Sequence, residues 1–197
     1  LPAAQARATL GLGDAETVFL FFGHVRPYKG VEVLLEALAQ LPPAPQPWRA
    51  LIVGEWYYDG AQAASYIRAA GLSSRVEVVD EFVSEDKVAA YFAAATVVVL
   101  PYRQGTQSGV VPQAFAHGRP VIATDVGAVA EAIREGENGL VISANDVSGL
   151  VKALRQVLDG QPFSEVAIAA ACEAASWAPM VAAVVHEPVV LLKDEAY

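Results

Sequence analysis

Short runs of β-branched and aromatic residues alternate along the chain with longer segments of helical spacing. Thr17–Val25 (TVFLFFGHV) is a continuous apolar run, the pattern of a strand buried on both faces. In Val31–Leu41 the apolar residues Val33, Leu34, Ala37, Leu38 and Leu41 follow helical spacing, and the prolines at 42, 43, 45 and 47 stop the helix. Ala50–Gly54, Val76–Val79, Thr96–Leu100, Pro120–Thr124 and Leu140–Ile142 read as five further strands. Between and after them, helical patterns cover Ala61–Ala70, Ser84 to about Ala94 with Ser84 as N-cap, Val110–Ala116, Val129–Glu135 and Val147–Leu158. Phe163–Ala175 reads as an alanine-rich helix, after which Pro179 and Pro188 interrupt the tail.

Strands alternating with helices imply βαβ units and a mostly parallel sheet covered on both faces. The expected fold is therefore α/β, a doubly wound, six-stranded Rossmann-like sheet. The expected division is a linker and partial helix at residues 1–15, the sheet domain at 16–160 and a helical extension at 161–197. A chain opening at Leu1 without methionine is expected to be part of a longer polypeptide.

Composition narrows the class. Of 197 residues, 54% are hydrophobic and 18% charged, which excludes a disordered chain. No apolar run reaches the roughly 18 residues of a spanning helix, and no signal-peptide pattern is present. A net charge of -9 disfavours nucleic acid and anionic membranes, which need clustered Lys and Arg. The single cysteine, Cys172, forms no internal disulfide and is expected to be buried and inert, and no Cys/His cluster suggests a metal. A soluble cytoplasmic domain is expected.

In such sheets ligands sit beyond the carboxyl ends of the strands. After the first strand comes Gly23-His24-Val25-Arg26-Pro27-Tyr28-Lys29-Gly30. Two cations beside a helix start suit a diphosphate, with a solvated basic turn as the alternative. After the fourth strand comes Pro101-Tyr102-Arg103-Gln104-Gly105-Thr106-Gln107-Ser108-Gly109-Val110-Val111. Its serine and glycine would let backbone N–H groups approach an anion, and Thr106, Gln107 and Ser108 could bond sugar or phosphate oxygens; the alternative is a polar loop without a ligand. Gly118 ends the next helix and Gly127 turns the chain after the fifth strand. His24 reads as solvated or phosphate-bonding, and His117 as a helix C-terminal residue. His186 lacks a supporting partner. Trp56, Tyr57 and Tyr58 could stack on a base or sugar, or pack against another domain.

FFGHVRPYKGVEVLLEAL, VVVLPYRQGTQSGVVPQAFAHGRPVIATDVGAVAEAI and GENGLVI, in that order, resemble the nucleotide-sugar-binding half of the group 1 retaining glycosyltransferases of GT-B architecture. The resemblance covers roughly Glu16 to Leu158. It implies a nucleoside-diphosphate-sugar donor as substrate, no separate cofactor and no metal. Lys29 matches the family's diphosphate lysine; the arginine that usually follows the glycine is absent at His24, and Arg26 is taken as its substitute. Arg26 and Lys29 are the expected catalytic pair. Gly23, Thr106, Gln107, Ser108, Gly109, Val110 and Gln113 are the expected diphosphate and sugar contacts, with Glu81, Phe82 and Val83 around the base.

The two glutamates that the family often carries fall on Gly105 and Gln113, which implies altered sugar contacts. The acceptor site, and any peripheral contact with the inner membrane face, would belong to an N-terminal half absent here. This chain alone would then bind a nucleoside diphosphate weakly and transfer no sugar. Two alternatives are a nucleotide-sugar epimerase half-domain and a non-catalytic GT-B-like binding module.

Overall fold

A computed structural model describes residues 1–44 and 46–175. Helix α1 (Ala3–Thr9) leads into β1 (Thr17–Phe22), α2 (Val31–Ala39), β2 (Trp48–Val53), α3 (Ala61–Ala69) and β3 (Val76–Val79). Then follow α4 (Glu85–Ala94), β4 (Val97–Leu100), α5 (Val110–Ala116), β5 (Val121–Thr124), β6 (Gly139–Ile142), α6 (Val147–Leu158) and α7 (Glu165–Ala175). The six strands form one sheet in the order β3-β2-β1-β4-β5-β6, and every pairing is parallel. This is the doubly wound order, in which β1 and β4 are neighbours whose connections diverge to opposite sides of the sheet.

The apolar runs explain why the strands sit where they do. Val97, Val98, Val99 and Leu100 are fully buried, as are Val18 to Phe21, because helices cover both faces of the sheet. Helix α2 turns six buried residues inward and packs beside α3 and α6; α1 packs on α4, and α7 on α5. Each fully buried Leu, Val or Phe contributes about 1.5–3 kcal/mol, so this core supplies the main stabilising force. No helix among the described residues is long and apolar enough to cross a membrane.

Several boundaries differ from the sequence expectation. The first strand stops at Phe22, because Gly23 takes a left-handed φ of 101°. Val25 then returns as a single parallel bridge to Trp56. The helix expected at Val129–Glu135 is a chain of turns. Here the side chain of buried Asn138 replaces helical bonding: it accepts the Arg134 N–H at 2.7 Å and donates to the Ala132 carbonyl at 3.1 Å. Ser84 occupies the N-cap position of α4, but its hydroxyl makes no capping bond. Cys172 is half-buried at the edge of the core instead of enclosed. The opening residues fold as α1, docked through Ala6 and the Arg7 side chain. Pro179, His186 and Pro188 lie outside the described residues.

Candidate functional site

The loops after β1 and β4 meet at the switch point of the sheet. Their approach depends on Gly30, which ends the short turn Pro27–Lys29 with a left-handed φ of 70°. A Cβ at that position would overlap the carbonyl oxygen of Pro101. The Arg103 N–H donates to the Tyr28 carbonyl at 2.7 Å and locks the two loops together. At Gly23 a Cβ would lie 3.3 Å from Lys29 Nζ and 3.6 Å from Val110 Cγ2. A glycine therefore leaves the floor open beside the ammonium group.

Lys29 Nζ stands 5.3 Å from the centroid of the Tyr102 ring. Burial, and secondarily the neighbouring Arg26, push its pKa below the ordinary lysine value of 10.5. Arg26 lies on an exposed stretch with its guanidinium carbon 4.5 Å from the Tyr57 ring centroid. The His24 ring meets the same tyrosine at 5.1 Å. Among the described residues, neither the Lys29 ammonium nor the Arg26 guanidinium makes a hydrogen bond or an ion pair, although the Lys29 backbone N–H donates to the Arg26 carbonyl at 2.9 Å. Both hold their donors ready on aromatic faces, an arrangement worth about 0.5–2 kcal/mol.

Across the junction, the Tyr102 hydroxyl lies 3.3 Å from Ser108 Oγ, and Ser108 Oγ accepts the Val110 N–H at 3.3 Å. Burial raises the Tyr102 phenol to about 12, so it remains protonated. Gly109, the residue before α5, has open space where a Cβ would be. The structure thus brings Gly23, Lys29, Ser108 and Val110 together around Tyr102. Thr106 and Gln107 are exposed on the same loop, with the Thr106 carbonyl fixed by the Ala128 N–H at 2.8 Å. Gln113 is half-buried one turn into α5. The side chains of these last three make no hydrogen bond to Lys29 or Arg26 among the described residues.

A second recess adjoins Gly23. His24, Glu81, Phe82 and Val83 line a recess of about 120 Å³ with Phe22 and Gly54. Phe82 is 77% exposed, and Glu81 pairs with Lys87 at 3.4 Å. An exposed ring at the mouth of a recess suits stacking on a flat heterocycle. Trp56 and Tyr58 are partly buried in the core, leaving Tyr57 as the exposed member of that aromatic triplet. His117 caps the end of α5 as expected, and its ring stacks on Phe92 at 5.1 Å. Burial and Arg119 lower its pKa, so it adds little charge to the helix end.

Sequence reasoning missed the role of Tyr102, whose signal was only an aromatic residue just past the fourth strand. It also missed the carboxylate of Glu32, which the Tyr58 hydroxyl reaches at 2.6 Å.

A parallel sheet in this order, with the side chains of Lys29 and Arg26 unpaired at its switch point, defines a doubly wound α/β domain. The family model described as glycosyl transferases group 1 matches residues 16–160, and the chain belongs to that family. A D-inositol 3-phosphate glycosyltransferase of Nocardioides sp. is 34% identical over 190 residues, covering 88% of this chain and 42% of that protein. The lipopolysaccharide core biosynthesis mannosyltransferase LpsB of Rhizobium meliloti is 31% identical over 166 residues, 80% of this chain and 46% of its own length. The chain therefore spans less than half the length of these relatives. Among solved structures, the sucrose-phosphate synthase of Thermosynechococcus elongatus superposes with a TM-score of 0.81 at 28% identity, covering 93% of this chain and 47% of that one. The C-terminal domain of the Francisella tularensis group 1 protein LpcC shares the fold, with a TM-score of 0.76 at 18% identity over 88% of this chain and 92% of that one. The fold is the Rossmann-like half of a GT-B glycosyltransferase, as the motifs implied.

Proposed function

We propose that this chain is the donor-binding half of a retaining glycosyltransferase that takes its sugar from a nucleoside diphosphate. The observation that carries this reading is the pair of uncommitted cations, Lys29 over Tyr102 and Arg26 over Tyr57, flanking the open floor at Gly23. The diphosphate lies between them and the Ser108–Val110 turn, the base enters the recess of Glu81, Phe82 and Val83, and the sugar extends toward Thr106, Gln107 and Gln113. Gly109 allows the close approach of the backbone.

In the transfer, the bond between the anomeric carbon and the diphosphate oxygen breaks, and the diphosphate leaves with the electron pair. The acceptor oxygen forms the new bond on the same face of the sugar and passes its proton to the departing diphosphate oxygen. Lys29 and Arg26 stabilise the charge that grows on the departing oxygen, where preorganised donors act most strongly. The acceptor is held by a second domain of the same polypeptide, and any contact with the inner membrane face runs through that domain. A gap where the family often has glutamate, at Gly105 and Gln113, leaves the sugar to neutral amides and hydroxyls.

Calorimetric titration with UDP, GDP and ADP tests the reading. One of the three is expected to bind and to raise thermal stability. A ligand at about 100 times its Kd stabilises by about 2.7 kcal/mol. Binding of none of them would leave a non-catalytic module as the better account.

A further inference from the structure

The loops after β1 and β4 leave neighbouring strands in opposite directions. Their groups can act on one ligand only if something holds them at a fixed spacing. Glu32, in the first turn of α2, sits where three loops come together. Its Oε1 accepts the hydroxyl of Tyr58, from the loop after β2, at 2.6 Å. Its Oε2 faces the guanidinium of Arg103, from the loop after β4, at 3.6 Å. That oxygen is buried and accepts no hydrogen bond, so the Arg103 charge is what compensates it. Burial first, and Glu32 second, hold the Tyr58 phenol far above its ordinary pKa, which keeps it a donor.

The backbone completes the junction. Arg103 N–H is bonded to the Tyr28 carbonyl, and Gly30 fits against the Pro101 carbonyl. Lys29 lies between the first two attachment points on one loop, and Tyr102 lies between the other two on its partner. A first-turn carboxylate also meets the helix dipole, but the dipole alone calls for no partner on two other loops.

We propose that Glu32 is a positioning residue that clasps the loops after β1, β2 and β4 into one cradle, fixing Lys29 against Tyr102 at the spacing a diphosphate requires. The clasp rests on the donor-site reading for its purpose, but its geometry can be measured without any ligand.

The test compares Glu32→Ala, Glu32→Gln and Tyr58→Phe by two measurements. One is calorimetric affinity for UDP, GDP and ADP. The other is the pH dependence of Lys29 acetylation by acetic anhydride, read by mass spectrometry on the unliganded chain. Glu32→Ala is expected to weaken binding at least tenfold. It should also move the Lys29 labelling curve up toward the ordinary lysine range, because a loosened cradle lets water reach the ammonium.

Glu32→Gln keeps an acceptor for Tyr58 but loses the attraction to Arg103, and should fall between. Tyr58→Phe breaks the other arm and should fall between as well. Asp146→Ala removes the capping bond to the Gly149 N–H of α6 without changing any residue of the cradle, and controls for lost stability. It should leave both readings unchanged.

An unchanged Lys29 curve in Glu32→Ala overturns the clasp whatever the affinity. A shifted curve with unaltered affinity overturns its service to the diphosphate. If the unmodified chain binds none of the three nucleotides, the donor reading falls, and the labelling curve alone decides the clasp.

Discussion

Two pairs of cations at opposite edges of the sheet are held in opposite ways. At the amino edge, Arg7 donates to the carbonyls of Ala94, Gly13, Asp14 and Glu16 at 2.6–3.3 Å and to Thr96 Oγ at 3.3 Å. Nearby, Arg119 donates to the carbonyls of Ala95 and His117 at 3.0 and 3.1 Å. At the carboxyl edge, Arg26 and Lys29 rest on aromatic rings with their donors open. An arginine saturated by carbonyls ties chain segments together. A cation placed on a ring is oriented without being neutralised, and remains available to an incoming anion. At one edge the cations serve cohesion, and at the other the proposed function has them serve binding.

Substitutions can break this contrast. The largest effect is expected for Lys29→Ala, which removes a charge-assisted hydrogen bond to the diphosphate worth about 1.5–3 kcal/mol, or roughly ten- to a hundredfold in affinity. Because the desolvation of the unpaired ammonium offsets its contact with the Tyr102 ring, the melting temperature of the unliganded variant should change little. Calorimetry and a thermal melt on one sample decide both points, and a destabilised variant of unchanged affinity would place Lys29 with Arg7.

Arg7→Ala should do the reverse. It frees carbonyls that converge from α4 and the turn before β1, and we expect a loss of about 2 kcal/mol. For a chain of this size that corresponds to a fall of roughly 4–8 °C. Nucleotide affinity, measured below the transition, should stay as it was.

Arg26→Ala is expected to weaken nucleoside diphosphate binding about tenfold, while His24→Ala changes it little. The two share the Tyr57 ring, so titrating both variants separates the cation from the ring that supports it. If Arg26→Ala binds as the unmodified chain does, Arg26 leaves the site.

The smallest effect is a pH dependence. Lys29 titrates below 10.5 in the folded, unliganded chain, so between its lowered value and 10.5 the unfolded chain binds the extra proton. Its contribution to stability therefore rises with pH across that window. A bound diphosphate favours the charged form and reverses the shift. Affinity should decline as pH climbs through the lowered value, with proton uptake on binding. Titration in buffers of different ionisation enthalpy measures that uptake, and it should vanish in Lys29→Ala.

Much of the carboxyl edge was legible as text. The loop glycines, the cations at 26 and 29 and the serine before α5 stand next to the strand ends in sequence, so local patterning was enough to nominate them. Phe82 was nominated only through family resemblance, and the structure shows it exposed at the recess. Tyr102 was not nominated, because its use depends on Lys29, which reaches it from a different strand. The amino edge was not legible at all. Nothing local to Arg7 announces that the carbonyls it satisfies include that of Ala94, in a helix far along the chain.

The same division runs through the whole fold. Hydrophobic periodicity determined the six strands and most helices, because burial on both faces needs continuous apolar runs and helical burial needs every third or fourth position. Glycine and proline marked the turns through backbone sterics, which are local. Only the tertiary structure decided that β1 lies beside β4, which brings the two loops to one place. It alone decided that 129–135 would turn, since the bonds that displace a helix come from Asn138, buried by its surroundings. It alone joined Glu32 to Tyr58 and Arg103. Side-chain pairing across crossovers depends on strand order and packing, which neighbouring residues do not encode.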